Sequence, residues 1–339
     1  MTAVDRRGRP LHSLRLSLTD RCNLRCAYCM PEQDYAWLPR EELLTFEELG
    51  VVVDAFLDLG VRRLRLTGGE PLLRQDVASL VADLAARPRV EDLALTTNGT
   101  LLREQAGELA AAGLRRITVS LDTLRADRFE ALTRRRGLER VLDGVDAARQ
   151  VGMPVKVDTV LLRGRNEDEI LPLLDWAREV GAELRFIEYM DVGGATRWSM
   201  EQVVDRDEIL RTVTAARGEP QALPHDGAAP AVRYALPDGQ VFGIIASTTQ
   251  PFCATCDRSR VTADGTWYTC LYAAAGTDLR TPLRSGVGRE GLRALLAEGW
   301  RARDDRGAEV RLEARERGPL FDLDALQADP HREMHTRGG

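Results

Sequence analysis

Between residues 12 and 190 the chain switches repeatedly between two hydrophobic periods. Segments 12–19, 61–68, 90–98, 114–122, 153–162 and 182–190 alternate apolar and polar residues or run briefly apolar, the spacing of β-strands. The stretches between them repeat apolar residues every three or four positions. Examples are 46–59 (FEELGVVVDAFLDL) and 103–112 (REQAGELAAA), which read as amphipathic helices. Gly60, Gly113, Gly152 and Gly181 each stand just past such a helix, where a left-handed residue is favoured. Six strand–helix units in succession predict a parallel sheet. Right-handed crossovers would curl it into an incomplete (β/α)6 barrel of the TIM type.

The strands themselves depart from the usual pattern. Parallel strands covered on both faces are nearly continuous in apolar residues. Here Leu14, Leu16 and Leu18 alternate with Arg15, Ser17 and Thr19, and Leu64 and Leu66 with Arg63, Arg65 and Thr67. The later strands add Thr96 and Asn98, then Thr118, Ser120 and Asp122, then Lys156 and Asp158. With helices over the apolar face, the polar face lines the barrel as a wet, cationic channel suited to an anion such as a polyphosphate. An open sheet with one solvated face is the plainer alternative.

After residue 190 the pattern changes. Segment 232–245 reads as a hairpin turning at Asp238-Gly239, and 258–270 as a second turning at Asp264-Gly265. A helical stretch (290–300) and a charged tail ending Gly338-Gly339 follow, while 216–230 is the most loop-like segment. This divides the chain into residues 1–190, a partial barrel, and 191–339, an α+β extension.

Composition narrows the class. With 44% hydrophobic and 29% charged residues the 339-residue chain is globular, and a net charge of −6 argues against general nucleic-acid binding. No apolar run suggests a signal peptide or a membrane span, so the expected compartment is the cytoplasm. Of 47 Lys+Arg residues one is lysine, Lys156, leaving 47 − 1 = 46 arginines. Where arginine serves everywhere else, the exception suggests a site that needs a compact ammonium.

All six cysteines fall into two triplets: Cys22, Cys26 and Cys29 (C-x3-C-x2-C), and Cys253, Cys256 and Cys270 (C-x2-C-x13-C). Each is one ligand short of a closed tetrahedral zinc site. The four histidines, His12, His225, His331 and His335, are remote in sequence from the first triplet. Two iron–sulfur clusters, each with one iron free for a small molecule, account for the pattern better. The first triplet directly follows the first strand, at the end of a barrel where active sites are built.

These residues carry a resemblance. C-x3-C-x2-C with Tyr28 before the last cysteine, LTGGEP (66–71), TTNG (96–99) and VSLD (119–122) resemble the radical S-adenosylmethionine superfamily. CATCDRSRVTADGTWYTCL (253–271), LRLSLTDRCNLRCAYCMPE (14–32), RFIEYMDVG (185–193), RSGV (284–287) and the terminal Gly-Gly narrow it. They resemble the molybdenum-cofactor biosynthesis protein A family, the GTP 3′,8-cyclases.

The resemblance implies two [4Fe–4S] clusters, one binding S-adenosylmethionine and the other the guanine of GTP. It implies a 5′-deoxyadenosyl radical that abstracts the ribose 3′ hydrogen. The product would be (8S)-3′,8-cyclo-7,8-dihydroguanosine 5′-triphosphate, passed to a cyclic pyranopterin monophosphate synthase. It assigns catalysis to Cys22, Cys26, Cys29, Arg15, Arg258 and Arg260, with Cys253, Cys256 and Cys270 as the further cluster ligands. GTP contacts fall on Arg15, Arg65, Thr96, Lys156, Arg258 and Arg260. S-adenosylmethionine contacts fall on Tyr28, Gly69, Ser120 and Met190, with Arg185 beside them. Gly68-Gly69 would approach the methionine closely, Asn98 would support that wall, and Arg63 and Arg185 would extend the cationic one. The Gly-Gly tail would reach the active site, although Arg337 stands where an apolar residue is commoner. An electron donor of unspecified identity is required, and the chain would be a monomer or homodimer. Two other classes are a radical enzyme acting on a peptide or another small molecule, and a zinc-stabilised nucleic-acid-binding module.

Overall fold

The computed structural model describes residues 2–225 and 227–338. A twelve-stranded sheet organises them. Its strands are β1 (Ser13–Ser17), β2 (Arg63–Thr67), β3 (Asp92–Thr97), β4 (Arg116–Ser120), β5 (Val155–Leu161), β6 (Glu183–Glu188), β7 (Gln221–Ala222), β8 (Val232–Ala235), β9 (Val241–Ile245), β10 (Arg258–Val261), β11 (Thr266–Tyr268) and β12 (Thr277–Asp278). The first six lie inside the six predicted segments. The two predicted hairpins are β8–β9 and β10–β11, with Gly239 and Gly265 at positive φ in their turns.

The spatial order is β12-β11-β10-β1-β2-β3-β4-β5-β6-β9-β8-β7. From β10 across to β9 every neighbouring pair is parallel. The six βα units therefore form a partial barrel. The C-terminal segment adds a strand at each edge, β10 beside β1 and β9 beside β6. Neither end of the series pairs with the other, so the barrel stays open.

Alternation sets the two faces. Leu14, Leu16, Leu64, Leu66, Val155 and Val157 are buried on the helix-covered side, each worth about 1.5–3 kcal/mol of transfer free energy. Their polar neighbours Arg15, Arg65, Lys156 and Asp158 are only partly buried and line a cavity of about 740 Å³. The helices follow the expected spacing. Helix Phe46–Asp58 starts at a capping box in which Thr45 and Glu48 satisfy each other's main-chain N–H, and it buries Leu49, Val52, Val53 and Phe56. Gly60, Gly113, Gly152 and Gly181 all have positive φ, as their place after a helix predicts. No helix among the described residues is long and apolar enough to cross a membrane.

Candidate active site

The first triplet lies on the loop leaving β1. Main-chain bonds Arg25 N–H to Thr133 O (2.9 Å) and Ala27 N–H to Leu132 O (2.8 Å) tie that loop to the end of helix Ala126–Thr133. A tight turn, with Cys29 N donating to Cys26 O at 3.0 Å and Met30 N at 2.7 Å, brings the last two cysteines together. Burial pushes the Cys22, Cys26 and Cys29 thiols above their ordinary range. Three buried thiols that hold their protons make poor free nucleophiles and suit a metal group that displaces those protons.

The GGEP turn closes over this loop. A Cβ on Gly68 would lie 2.4 Å from Thr19 O, and one on Gly69 would lie 2.3 Å from Arg21 O. The immediate need for glycine is thus the protein's own β1 loop, in addition to any approach of a ligand to the cavity that both residues line. Glu70 is fully buried and accepts from Thr97 Oγ1 (2.7 Å), Asn98 N (2.7 Å) and Leu72 N (3.0 Å). Burial raises its pKa to about 7. Asn98 in turn points Nδ2 at Cys22 Sγ (3.8 Å) and donates to Asn23 Oδ1 (2.7 Å). Tyr28 donates to Asp122 Oδ2 at 2.6 Å, and burial raises Asp122 to about 6. Ser120 and Met190 share the same wall.

The second triplet is assembled from two places. Cys253 and Cys256 sit on one short turn, with Cys256 N donating to Cys253 O at 3.2 Å. The β10–β11 hairpin returns the chain to place Cys270 beside them, where a Cβ on Gly307 would come within 3.1 Å of its sulfur. Buried charges brace the turn from behind. Arg9 Nη1 donates to Cys253 O and Arg303 Nη1 to Cys256 O, both at 2.8 Å. Asp5 binds both arginines, at 2.7 Å (Arg9) and 3.1 Å (Arg303). Burial alone would push the Cys256 thiol up, but nearby Arg258 and Arg303 outweigh it and hold the thiol below its ordinary value.

All six cysteines are free and all six line the one cavity. Each set of three thiols is one ligand short of a closed tetrahedral zinc site, a donor set that suits an iron–sulfur cluster.

The strand register explains the charge in the cavity. Arg260, Arg15 and Arg65 are direct partners across β10, β1 and β2, three guanidinium groups on one rung facing one way. Among the described residues no carboxylate lies at ion-pair distance from any of them or from Arg258. Arg65 is held by the hydroxyls of Thr96 (3.0 Å) and Thr118 (3.1 Å). Arg258 stacks on Phe252 at 4.6 Å and keeps Nε and Nη2 unbonded. Burial, then repulsion from Arg260 and Arg258, pulls Arg15 well below its ordinary pKa, and burial and Arg258 bring Arg260 down to about 10. A cluster of mutually repelling cations, with Asp158 the nearest carboxylate influence among the described residues, suits an anion.

The other predicted cations differ. Lys156 is on the cavity wall but is bonded to Glu183 Oε1 at 2.7 Å, and Arg185 is bonded to Asp158 Oδ1 at 2.7 Å. Arg63 also lines the cavity. The tail reaches the rung: Arg260 Nη1 donates to Gly338 O. Gly339 lies outside the described residues. Sequence reasoning put Asp122 on the polar strand face but missed its bond to Tyr28, and it missed the roles of Glu70, the Asp5–Arg9–Arg303 brace and Asp191. The buried Asp191 carboxylate binds Arg311 (2.7 Å), Arg317 (2.9 Å) and the Tyr272 hydroxyl (3.1 Å). Glu70, Asp122 and Asp191 all stand inside quoted motifs and were within reach.

Comparison with known proteins agrees with this architecture. Residues 16–177 match the Radical SAM superfamily, and residues 182–309 match Molybdenum Cofactor Synthesis C. The chain is 53% identical over 340 residues to GTP 3′,8-cyclase 1 of Mycobacterium tuberculosis strain H37Rv, covering 99% of this chain and 95% of that one. The chain belongs to the GTP 3′,8-cyclase family. Family members from Acidothermus cellulolyticus (47% identical, covering 91% of this chain and 88% of that one) and Staphylococcus haemolyticus (41%, covering 91% and 93%) match as broadly. Streptococcus suis SuiB, solved with S-adenosylmethionine bound, shares the fold at a TM-score of 0.61 and 15% identity. The match covers 90% of this chain and 69% of SuiB.

Proposed function

We propose that this chain is a GTP 3′,8-cyclase of molybdenum-cofactor biosynthesis, converting GTP to (8S)-3′,8-cyclo-7,8-dihydroguanosine 5′-triphosphate with S-adenosylmethionine and two [4Fe–4S] clusters. The observation that carries the reading is one cavity lined by two free cysteine triplets and by the rung Arg260–Arg15–Arg65. Family membership supplies the reaction, and these residues supply a place for it.

Cys22, Cys26 and Cys29 would hold one cluster and Cys253, Cys256 and Cys270 the other. Held there with S-adenosylmethionine, the first cluster would supply the 5′-deoxyadenosyl radical with which the family removes the ribose 3′ hydrogen. The chain's own residues do the rest. Gly69, Ser120, Met190 and Tyr28 line the wall beside the first triplet and would seat S-adenosylmethionine, with Asp122 fixing the Tyr28 hydroxyl. Asn98 and Glu70 hold the loop behind Cys22. Arg15, Arg65, Arg258 and Arg260 meet the triphosphate, whose negative charge relieves their repulsion. Thr96 aims Arg65, and Lys156 and Arg185 keep their carboxylate partners at the edge of the site. Six free thiols suit a reducing, cytoplasmic compartment. A reductant and a downstream cyclic pyranopterin monophosphate synthase complete the pathway role.

Anaerobically reconstituted protein, given S-adenosylmethionine and a strong reductant, should release 5′-deoxyadenosine in step with a GTP-derived product. Cleavage of S-adenosylmethionine that leaves GTP unchanged overturns the assignment.

A further inference from the structure

The last described residues form a strap along the cavity from one triplet to the other. Near the first triplet, a Cβ on Gly194 would meet Cys29 O at 2.1 Å and Glu333 Oε2 at 2.9 Å. The His335 ring sits edge-on to Tyr35 and Trp37, with centroids 5.2 and 5.5 Å away. Near the second, Arg337 is 2% exposed although it is the third residue from the chain's end. Two of its guanidinium nitrogens bind main-chain carbonyls, Nε donating to His331 O (2.5 Å) and Nη1 to Leu271 O and Ala273 O (both 2.8 Å), while the buried Nη2 has no hydrogen-bond partner among the described residues. Its Cζ lies 4.3 Å from the Tyr268 ring centroid. Leu271 follows Cys270 directly, and Tyr268 closes β11 two residues before it.

A buried cation with no carboxylate at ion-pair distance among the described residues is costly, and an apolar side chain would fill the same space without that cost. What the guanidinium adds is direction, because its planar fork fixes two segments at once. The next residue gains from that. Gly338 (φ +72°) has no room for a side chain, since a Cβ would fall 2.4 Å from Thr67 Cγ2, and its carbonyl accepts from Arg260.

We propose that Arg337 is a positioning residue for GTP turnover: it clamps the tail to the chain that carries Cys270 and thereby holds Gly338 on the Arg260–Arg15 rung. The clamp goes beyond the tail's expected reach into the site, and its catalytic consequence rests on the GTP reading above.

The test compares Arg337→Met and Arg337→Lys with the wild-type holoenzyme, reading hydrogen exchange of residues 331–338, iron content, and KM and kcat for GTP. The Met variant should keep its iron, exchange tail amides at least about tenfold faster, and raise KM for GTP about tenfold while kcat changes less. The Lys variant, which keeps a cationic donor on a flexible stem, should recover part of both. Unchanged tail exchange in Arg337→Met, or faster exchange with an unchanged KM, overturns the proposal. So does loss of iron, which would make Arg337 a prop for the Cys270 loop only. If the wild type makes no GTP-derived product, the GTP reading fails, and the exchange comparison still decides the clamp.

Discussion

Replacing Asp5 with Asn isolates what holds the second triplet in place. The carboxylate is buried and accepts from Arg9 Nε (2.7 Å), Arg303 Nη1 (3.1 Å) and the main-chain N–H of Arg7 and Arg9 (both 2.9 Å). Arg9 and Arg303 are 2% and 4% exposed. Asn keeps the shape and one acceptor but strips the charge from between two buried cations, of which Arg303 retains Asp305 at 3.5 Å. Removing one partner from a buried ionic group costs about 3–5 kcal/mol, a large share of a typical 5–15 kcal/mol of stability. The loss falls on the carbonyls of Cys253 and Cys256, which these arginines hold. Anaerobic urea unfolding of the iron-free chain should show the drop as a lower midpoint at constant slope. After reconstitution, iron should fall from about eight per chain towards about four, with the first triplet still loaded. Replacing Asp5, Arg9 and Arg303 together by apolar residues of similar volume should recover much of the stability. An unfolding free energy within about 0.5 kcal/mol of wild type, with full iron, would refute the idea that this buried charge braces the triplet.

Arg15→Met should weaken GTP binding by roughly 10- to 100-fold, since a charge-assisted hydrogen bond is worth about 1.5–3 kcal/mol. Relief of repulsion in the empty cavity shifts the value towards the low end, and calorimetry reads it. Lys156→Arg retains a cation for Glu183, so the unfolding midpoint should hold while GTP affinity falls severalfold; equal affinity would assign Lys156 to Glu183 alone. Tail docking should depend on pH. His331, raised by its bond to Asp264, and Glu333, raised by burial to about 7, both bind protons more tightly when docked. Their contribution is complete at low pH and is lost as pH rises through those values. His335, pushed by burial to about 3, acts oppositely, its contribution being lost as pH falls below its ordinary 6.5. Above pH 6.5 only the two losses act, so tail amides, corrected for intrinsic exchange, should be better protected at about pH 6 than at about pH 8; a flat profile contradicts these assignments.

The strands and hairpins were legible because their signals are local. Leu14-Arg15-Leu16 declares both faces of β1 in three letters, and Asp264-Gly265 marks its own turn. The cysteine triplets were legible for the same reason. What escaped was written across distance. Asp5 and Arg303 are 298 positions apart, and nothing near either marks the other. The uniqueness of Lys156 points to a site that needs a compact ammonium, but its bond to Glu183, the residue opposite it across the β5–β6 register, has no local signature. Arg337 could be seen as out of pattern, yet its partners are carbonyl oxygens, which carry no sequence signature.

The central claim is that this chain takes a hydrogen atom from the ribose of GTP bound in the cavity between the triplets. GTP deuterated at the ribose 3′ carbon tests it directly, by mass spectrometry of the 5′-deoxyadenosine formed by the reconstituted enzyme with S-adenosylmethionine and reductant. The account predicts deuterium in the 5′-deoxyadenosine in proportion to the cyclised product. Unlabelled 5′-deoxyadenosine alongside intact GTP would contradict it.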